Sequence, residues 1–223
     1  MTDEKPVSIR QSQREATRER LVQATINLLR GEGVAAVTTV SVTRDAGIVQ
    51  SGFYLHFKNI DECLRVAAER VAEGIRNYIA ETRREMYQID PDDLDLLRQH
   101  CEKMLEIFNT ERRFAEVFLH HQHDRSSLGA VMRELKTQIH ADLVEDLQNV
   151  IFRRRSLTTS QRERTSLQAE IILAAALIAG EALIENRISR MATAAELLAV
   201  NIVSLAGNAS LDSKPATKSK NKS

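Results

Sequence analysis

The 223 residues are enough for one large domain, or for a small domain joined to a larger one. Eight Gly and three Pro are too few turn-formers for an all-β sandwich or barrel, and a hydrophobic content of 43% excludes wholesale disorder. Thirty-one Lys+Arg balance 31 Asp+Glu, so net charge names no partner, and two cysteines, Cys63 and Cys101, make neither a disulfide framework nor a zinc site and suit a reducing compartment.

Residues 1–13 read as a flexible arm. The decapeptide MTDEKPVSIR lacks the apolar core of a signal sequence, and the longest apolar run, Ile171 to Gly180, is ten residues where a membrane span needs about 20. The expectation is a soluble, cytoplasmic protein with no membrane partner. From Arg14 onward the apolar period is helical, and the fold class is all-α with about nine helices. Helix 1 spans about Arg14–Arg30 with Leu21, Ala24, Thr25 and Leu28 inward, and the Gly31–Gly33 pair stops it. Thr38 caps a short second helix that Gly47 ends, and a third covers about Gln50–His56. Asn59 caps a long fourth helix with Leu64, Ala67, Val71, Ile75 and Tyr78 inward. Asp90-Pro91-Asp92-Asp93 reads as the start of a fifth, with Leu94, Leu97, Cys101, Met104 and Phe108 on one face. Phe114, Val117, Phe118 and His121 share a face on a sixth. Ser126 caps a long helix, Ser160 another reaching about Ile188, and Thr193 the last, to about Leu205. Arg153-Arg154-Arg155 reads as cations at the negative end of a helix, and residues 209–223 read as a disordered tail.

Charge is unevenly placed. Residues 10–58 hold seven Lys/Arg and four acids, whereas residues 61–213 hold nineteen Lys/Arg and twenty-five acids. A basic working end on an acidic body fits this distribution, although random scatter alone can also produce it.

The informative stretch is TTVSVTRDAGIVQSGFYLHF, Thr38 to Phe57. Gly47 permits a sharp turn after the second helix. Thr43 and Ala46 are small enough for close helix approach, and Ile48 and Phe53 can fill the angle between the helices. This is the pattern of a helix-turn-helix, whose second helix enters the DNA major groove. Gln50, Ser51, Gly52 and Tyr54 would face the duplex, with Gln50 suited to adenine. Tyr54, His56 and Lys58 would reach phosphates, and Arg14, Arg18 and Arg20 make helix 1 basic at its N-terminal end. Two ordinary core helices with a bend between them fit the same spacing.

The segment AGI-x-x-x-GFY-x-HF, after a threonine-capped helix, resembles the DNA-binding domain of the TetR family of bacterial regulators over about residues 14–64. The resemblance implies a DNA-binding domain at 14–58 and a ligand-binding and dimerisation domain at 59–208. It implies a homodimer on a palindromic double-stranded operator and a repressor released by a small-molecule effector; with no Gly-rich phosphate loop, nucleophile elbow or His-carboxylate metal helix in the sequence, no enzymatic activity or cofactor is expected. DNA-contacting roles carry over to Thr38, Thr39, Gln50, Ser51, Gly52, Phe53, Tyr54, His56 and Lys58. Two positions depart from the family pattern: Val49 stands where a Ser or Thr usually caps the recognition helix, and Ile60 where a Lys usually meets a phosphate. AGIVQSGFYLHFKNIDECL, with the segment from Glu111 to Leu147, is also similar to the subgroup controlling unsaturated fatty-acid synthesis, which responds to acyl thioesters. His121-Gln122-His123-Asp124-Arg125-Ser126 departs from that subgroup's run at this place.

Within the body, Tyr78, Met104, Phe108, Phe114, Phe118, His121, Met132 and Leu135 are candidates to line an apolar effector cavity. A solid core accounts for the same residues. The run from Ile171 to Ile184 is apolar nearly all round a helix and must bury two faces. Either it is a central core helix, or Ala175, Ile178 and Leu183, with Leu198, Ile202 and Leu205 of the last helix, form a dimer interface. The family resemblance favours the second. Small residues, Gly180 among them, would permit close approach there. His120, His121 and His123, with His100 and His140, raise the alternative of a metal-dependent helical enzyme. The cluster lacks a His-x3-His or Glu-x-x-His pair, so no metal site is expected. A helical adaptor without a DNA role is a further alternative.

Overall fold

The computed structural model describes residues 9–86, 93–152 and 157–210, and among them there are helices and no strand. The helices are α1 (Ile9–Gly31), α2 (Thr39–Asp45), α3 (Gln50–Phe53), α4 (Ile60–Met86), α5 (Leu94–Leu105), α6 (Ile107–Thr110), α7 (Arg112–His121), α8 (Ser127–Phe152), α9 (Thr159–Ile184) and α10 (Met191–Ser210), with a 3-10 turn at Val34–Ala36. The all-α expectation holds, and the chain's contacts group into two compact units, residues 1–77 with 110–136 and residues 78–109 with 137–223.

In the first unit α1 buries Leu21, Ala24, Thr25 and Leu28, the face its periodicity marks. It ends where Glu32 and Gly33 donate to the Leu28 carbonyl, and Gly33 then takes φ +87, which a side chain would resist. Helices α2 and α7 pack on α1. Arg30 makes a two-pronged contact with Glu111 at the N-terminus of α7, at 2.8 and 2.7 Å. Ser126 caps α8 as its sequence indicates, accepting from the Gly129 amide at 3.0 Å.

In the second unit α5, α9 and α10 pack together. Here several helix ends differ from expectation. α5 starts at Leu94, with the Asp93 carboxylate accepting from the Leu96 amide at 3.0 Å, and Asp90, Pro91 and Asp92 lie outside the described residues. α9 is capped by Thr158 rather than Ser160, and Gln161 completes a reciprocal capping box with Thr158. Thr193 lies inside α10, which already begins at Met191. A break at Glu106 separates α5 from α6, and Phe108 belongs to the latter. The Arg153–Arg155 run and residues 1–8 and 211–223 of the proposed arm and tail lie outside the described residues, whereas residues 9–13 and 209–210, assigned to that arm and tail, are helical as parts of α1 and α10.

Arg83 anchors α4 to α8 within this unit. Its guanidinium meets Asp142 at 2.9 Å, Glu145 at 3.2 Å and the buried Asp146 at 2.8 Å. Burial disfavours its charge, but these carboxylates outweigh that and raise its pKa above the ordinary value. α9 is the one described helix long and apolar enough to cross a membrane by length and composition, with a mean hydropathy of 1.8 over its most apolar window. The ten-residue apolar run from Ile171 to Gly180 lies within it. Its Ala169, Ile172 and Leu173 are buried in the unit, as in a core helix.

Candidate nucleic-acid interface

The head of the first unit is built around a short turn. Thr38 and Ser41 form a reciprocal capping box at the start of α2, with Thr38 Oγ1 accepting from the Ser41 amide at 3.1 Å and Ser41 Oγ from the Thr38 amide at 3.0 Å. Thr43 is buried and turns its hydroxyl back onto the Thr39 carbonyl at 2.8 Å, which leaves its methyl for packing. The chain then reverses at Gly47, φ +65, and the Ile48 amide reaches back to the Thr43 carbonyl at 2.9 Å. α3 follows, one turn long, and the chain leaves it through bonds from His56 and Phe57 to the Phe53 carbonyl. It is shorter than the Gln50–His56 span its sequence indicates.

Phe53 and Phe57 hold this turn on the core. Phe53 is fully buried, with its ring 5.6 Å from Phe57 and edge-on to Tyr54 at 5.5 Å. The DNA-contacting role assigned to Phe53 is therefore corrected: with no exposed surface it supports α3 from beneath and has no atom free to touch a duplex. Gln50, Ser51 and Tyr54 are exposed, Gly52 is half-exposed and His56 half-buried. A Cβ on Gly52 would come within 3.0 Å of Ile48 Cγ2, so this position leaves little room for a side chain. Thr38 is exposed but occupied by capping, and Thr39 is half-buried.

The basic residues of α1 divide their roles. Arg14 donates to the Leu55 carbonyl at 3.1 Å, tying α1 to the turn that follows α3. The Arg18 guanidinium lies over the Phe57 ring, 4.8 Å from its centre. Partial burial, then Arg14 and Arg18, hold the His56 pKa below its ordinary value, so this imidazole is neutral at neutral pH. Lys58 is exposed. Its backbone amide donates to Glu62 at 2.7 Å while Asn59 accepts from the Glu62 amide at 2.9 Å, so Asn59 caps α4 as its sequence indicates. Ser41 is a local capping partner of Thr38 that sequence reasoning missed, whereas Arg14 and Arg18 meet partners far along the chain that charge counts do not resolve.

The candidate effector residues fall in both units. Phe114, Phe118, Met132 and Leu135 are buried in the first, and His121 there pairs its Nδ1 with Asp124 at 2.7 Å. In the second, Met104 is half-buried, and the Tyr78 hydroxyl donates to the Lys103 carbonyl at 2.7 Å. Phe108 is buried against Gly180, where a Cβ would sit 2.3 Å from its ring. Gly180 therefore admits an aromatic ring of its own chain, a correction to its place in helix approach between chains. A surface depression of about 260 Å3 lies between α5 and α10, lined by Leu94, Asp95, Arg98, Glu196 and Ala199, and includes none of the candidate effector residues.

Of the candidate dimer residues, Leu183 and Leu198 are buried in the second unit and serve its core, which corrects their assignment to a face between chains. Ala175, Ile202 and Leu205 are partly buried, and Ile178 is 62% exposed. Leu167 and Ile171 share its stripe on α9, and Leu197, Val200 and Val203 are exposed on α10. Among the described residues no group of three or more His, Cys, Asp or Glu is arranged to hold a metal. His140 Nε2 lies 3.0 Å from the Ser166 carbonyl, and His100 is buried in the second unit.

No protein-family model matches the chain. Solved structures do. A transcriptional regulator from Rhodococcus sp. RHA1 is 18% identical, with a TM-score of 0.64 over 84% of this chain and 96% of its own. A TetR-like transcriptional regulator from the same source is 17% identical, with a TM-score of 0.57 over 89% and 97%. The FadR regulator of Bacillus subtilis, in complex with stearoyl-CoA, is 14% identical, with a TM-score of 0.60 over 83% and 97%. With its helix-turn-helix head followed by a helical body, the chain has the fold of the TetR-like transcriptional regulators.

Proposed function

We propose that the chain is a cytoplasmic DNA-binding transcriptional regulator that acts as a homodimer, with residues 14–58 as the DNA-binding head and 59–208 as the body. The observation that carries this is the reading surface of the head: Gln50, Ser51 and Tyr54 stand exposed on a turn fixed from beneath by buried Phe53 and Phe57. Hydrogen-bonding groups presented on a rigid support are what base readout requires. Lys58 and Tyr54 supply phosphate contacts that position the head. The exposed apolar residues of α9 and α10 support a dimer, because apolar surface left uncovered in one protomer is stabilised by a second copy. A dimer places two heads on the two halves of a palindromic operator.

The body is proposed to take a largely apolar effector, a fatty acyl thioester, which releases the DNA and makes the protein a repressor. Phe108, Phe114 and Phe118 with Met104 and Met132 on α5–α8 support this, as does similarity in fold to a FadR seen with stearoyl-CoA. An effector acts only through a difference in affinity between the DNA-competent and DNA-incompetent states. The test is retardation of a duplex from upstream of the protein's own coding region, in excess non-specific DNA, followed by titration with acyl thioesters of several lengths. Retention of that duplex and its release by long acyl chains are expected. Equal binding to unrelated duplexes refutes the regulator, and release by polar metabolites alone refutes the effector class.

A further inference from the structure

The residue immediately before the recognition helix is apolar and bare. Val49 has an extended backbone, φ −67 and ψ 145, and no side-chain cap stands at that end of α3. A Ser, Thr or Asp there would stabilise the helix by accepting from its first amides, so a valine forgoes that stabilisation. Its side chain is 74% exposed, more than any other large hydrophobic among the described residues. Gly52, one turn on, leaves one flank of it uncovered: a Cβ there would stand 3.8 Å from Val49 Cγ2. From Ala46 to Leu55 no side chain is charged. The exposed groups of this stretch are therefore the hydrogen-bonding side chains of Gln50, Ser51 and Tyr54 and two apolar ones, Val49 and the 69% exposed Leu55; of these two, Val49 stands at the N-terminal end of α3, the end of such a helix that meets base edges, and Leu55 lies beyond its other end. The apolar feature in the floor of the major groove is the C5 methyl group of thymine.

We propose that Val49 is a base-reading residue, its isopropyl group packing on the methyl group of one thymine in each half-site. The inference rests on the operator-binding function above and adds to it the chemical group recognised. Gln50, next in the chain, is suited to adenine, so the two neighbours read adjacent features of A·T pairs.

The full-length chain is used to enrich duplexes from a random library, and the tightest is resynthesised with each thymine singly replaced by deoxyuridine, which lacks only the methyl group. For the wild type, one thymine per half-site is expected to lose about fourfold in affinity on replacement, and about fifteenfold when both halves are changed, the effect of one buried methyl group at each site. Val49→Ala and Val49→Ser are expected to bind the thymine and uracil duplexes equally at that position. An enriched duplex with a flat wild-type scan, or a thymine response that persists in both variants, overturns the role of Val49 alone. Absence of any enriched sequence overturns the operator-binding function and this inference with it.

Discussion

Gly129, the third residue of α8, sits where the helix start meets the turn leaving α7. A Cβ there would lie 2.4 Å from the Asp124 carbonyl oxygen and 2.8 Å from that of His121. Both atoms are backbone, so the clash is relieved only by moving the turn by about 1 Å. Overpacking of this kind costs about 1–3 kcal/mol. Gly129→Ala recovers roughly 0.5–1 kcal/mol of helix propensity, leaving a net loss of about 1–2 kcal/mol. Gly74, exposed in α4 with nothing within 4 Å of a built Cβ, is the control: Gly74→Ala keeps the propensity gain without the clash. The assay is urea and thermal unfolding of both variants against wild type. At roughly 2–4 °C per kcal/mol for a chain of this size, melting should fall by about 3–6 °C for Gly129→Ala and rise by about 1–3 °C for Gly74→Ala. A Gly129→Ala protein as stable as Gly74→Ala would refute the close packing of α8 on this turn.

Tyr54→Ala is expected to weaken operator binding with the melting temperature unchanged, since the ring is 58% exposed; equal affinity in a retardation assay would remove it from the interface. Ile178→Glu should give soluble monomers by light scattering, because the site is exposed within the protomer, whereas Leu183→Glu should unfold it by burying an unpaired charge. A stable Ile178→Glu dimer would exclude this face of α9. Burial holds the His100 pKa below its ordinary value, so its contribution to stability is present above the unfolded value of about 6.5 and is lost as pH falls below it. Unfolding free energy should drop between about pH 7.5 and about pH 5.5, and His100→Gln should make the slope shallower. His56 is shifted in the same direction, so some slope remains. An identical slope in the variant would contradict a neutral, buried His100.

The head was legible in the sequence because its signals are local. Thr38, Gly47 and Asn59 each act on backbone within a few residues, and each does so where the spacing indicates. The apolar faces of α1 and α7 were equally plain. Caps that compete within one polar stretch were not: Thr158 with Gln161 and Ser160 with Glu163 both have capping-box spacing, and local spacing does not decide between them. Periodicity marks Leu183 and Leu198 as apolar but is silent on whether a neighbour in the same chain or another chain covers them. Val49 was visible as a missing cap, while its exposure depends on how Gly52 and the turn leave it uncovered. The roles of Arg14 and Arg18 join residues about forty positions apart, beyond any local rule.

The central claim, sequence-specific DNA binding by a dimer, is tested most directly by measuring the stoichiometry and salt dependence of the full-length chain on its enriched duplex by analytical ultracentrifugation. Two protomers on one inverted repeat are predicted, with affinity falling steeply as salt rises because phosphate contacts release counterions. A single protomer on the duplex, or binding that is indifferent to both sequence and salt, would contradict the account.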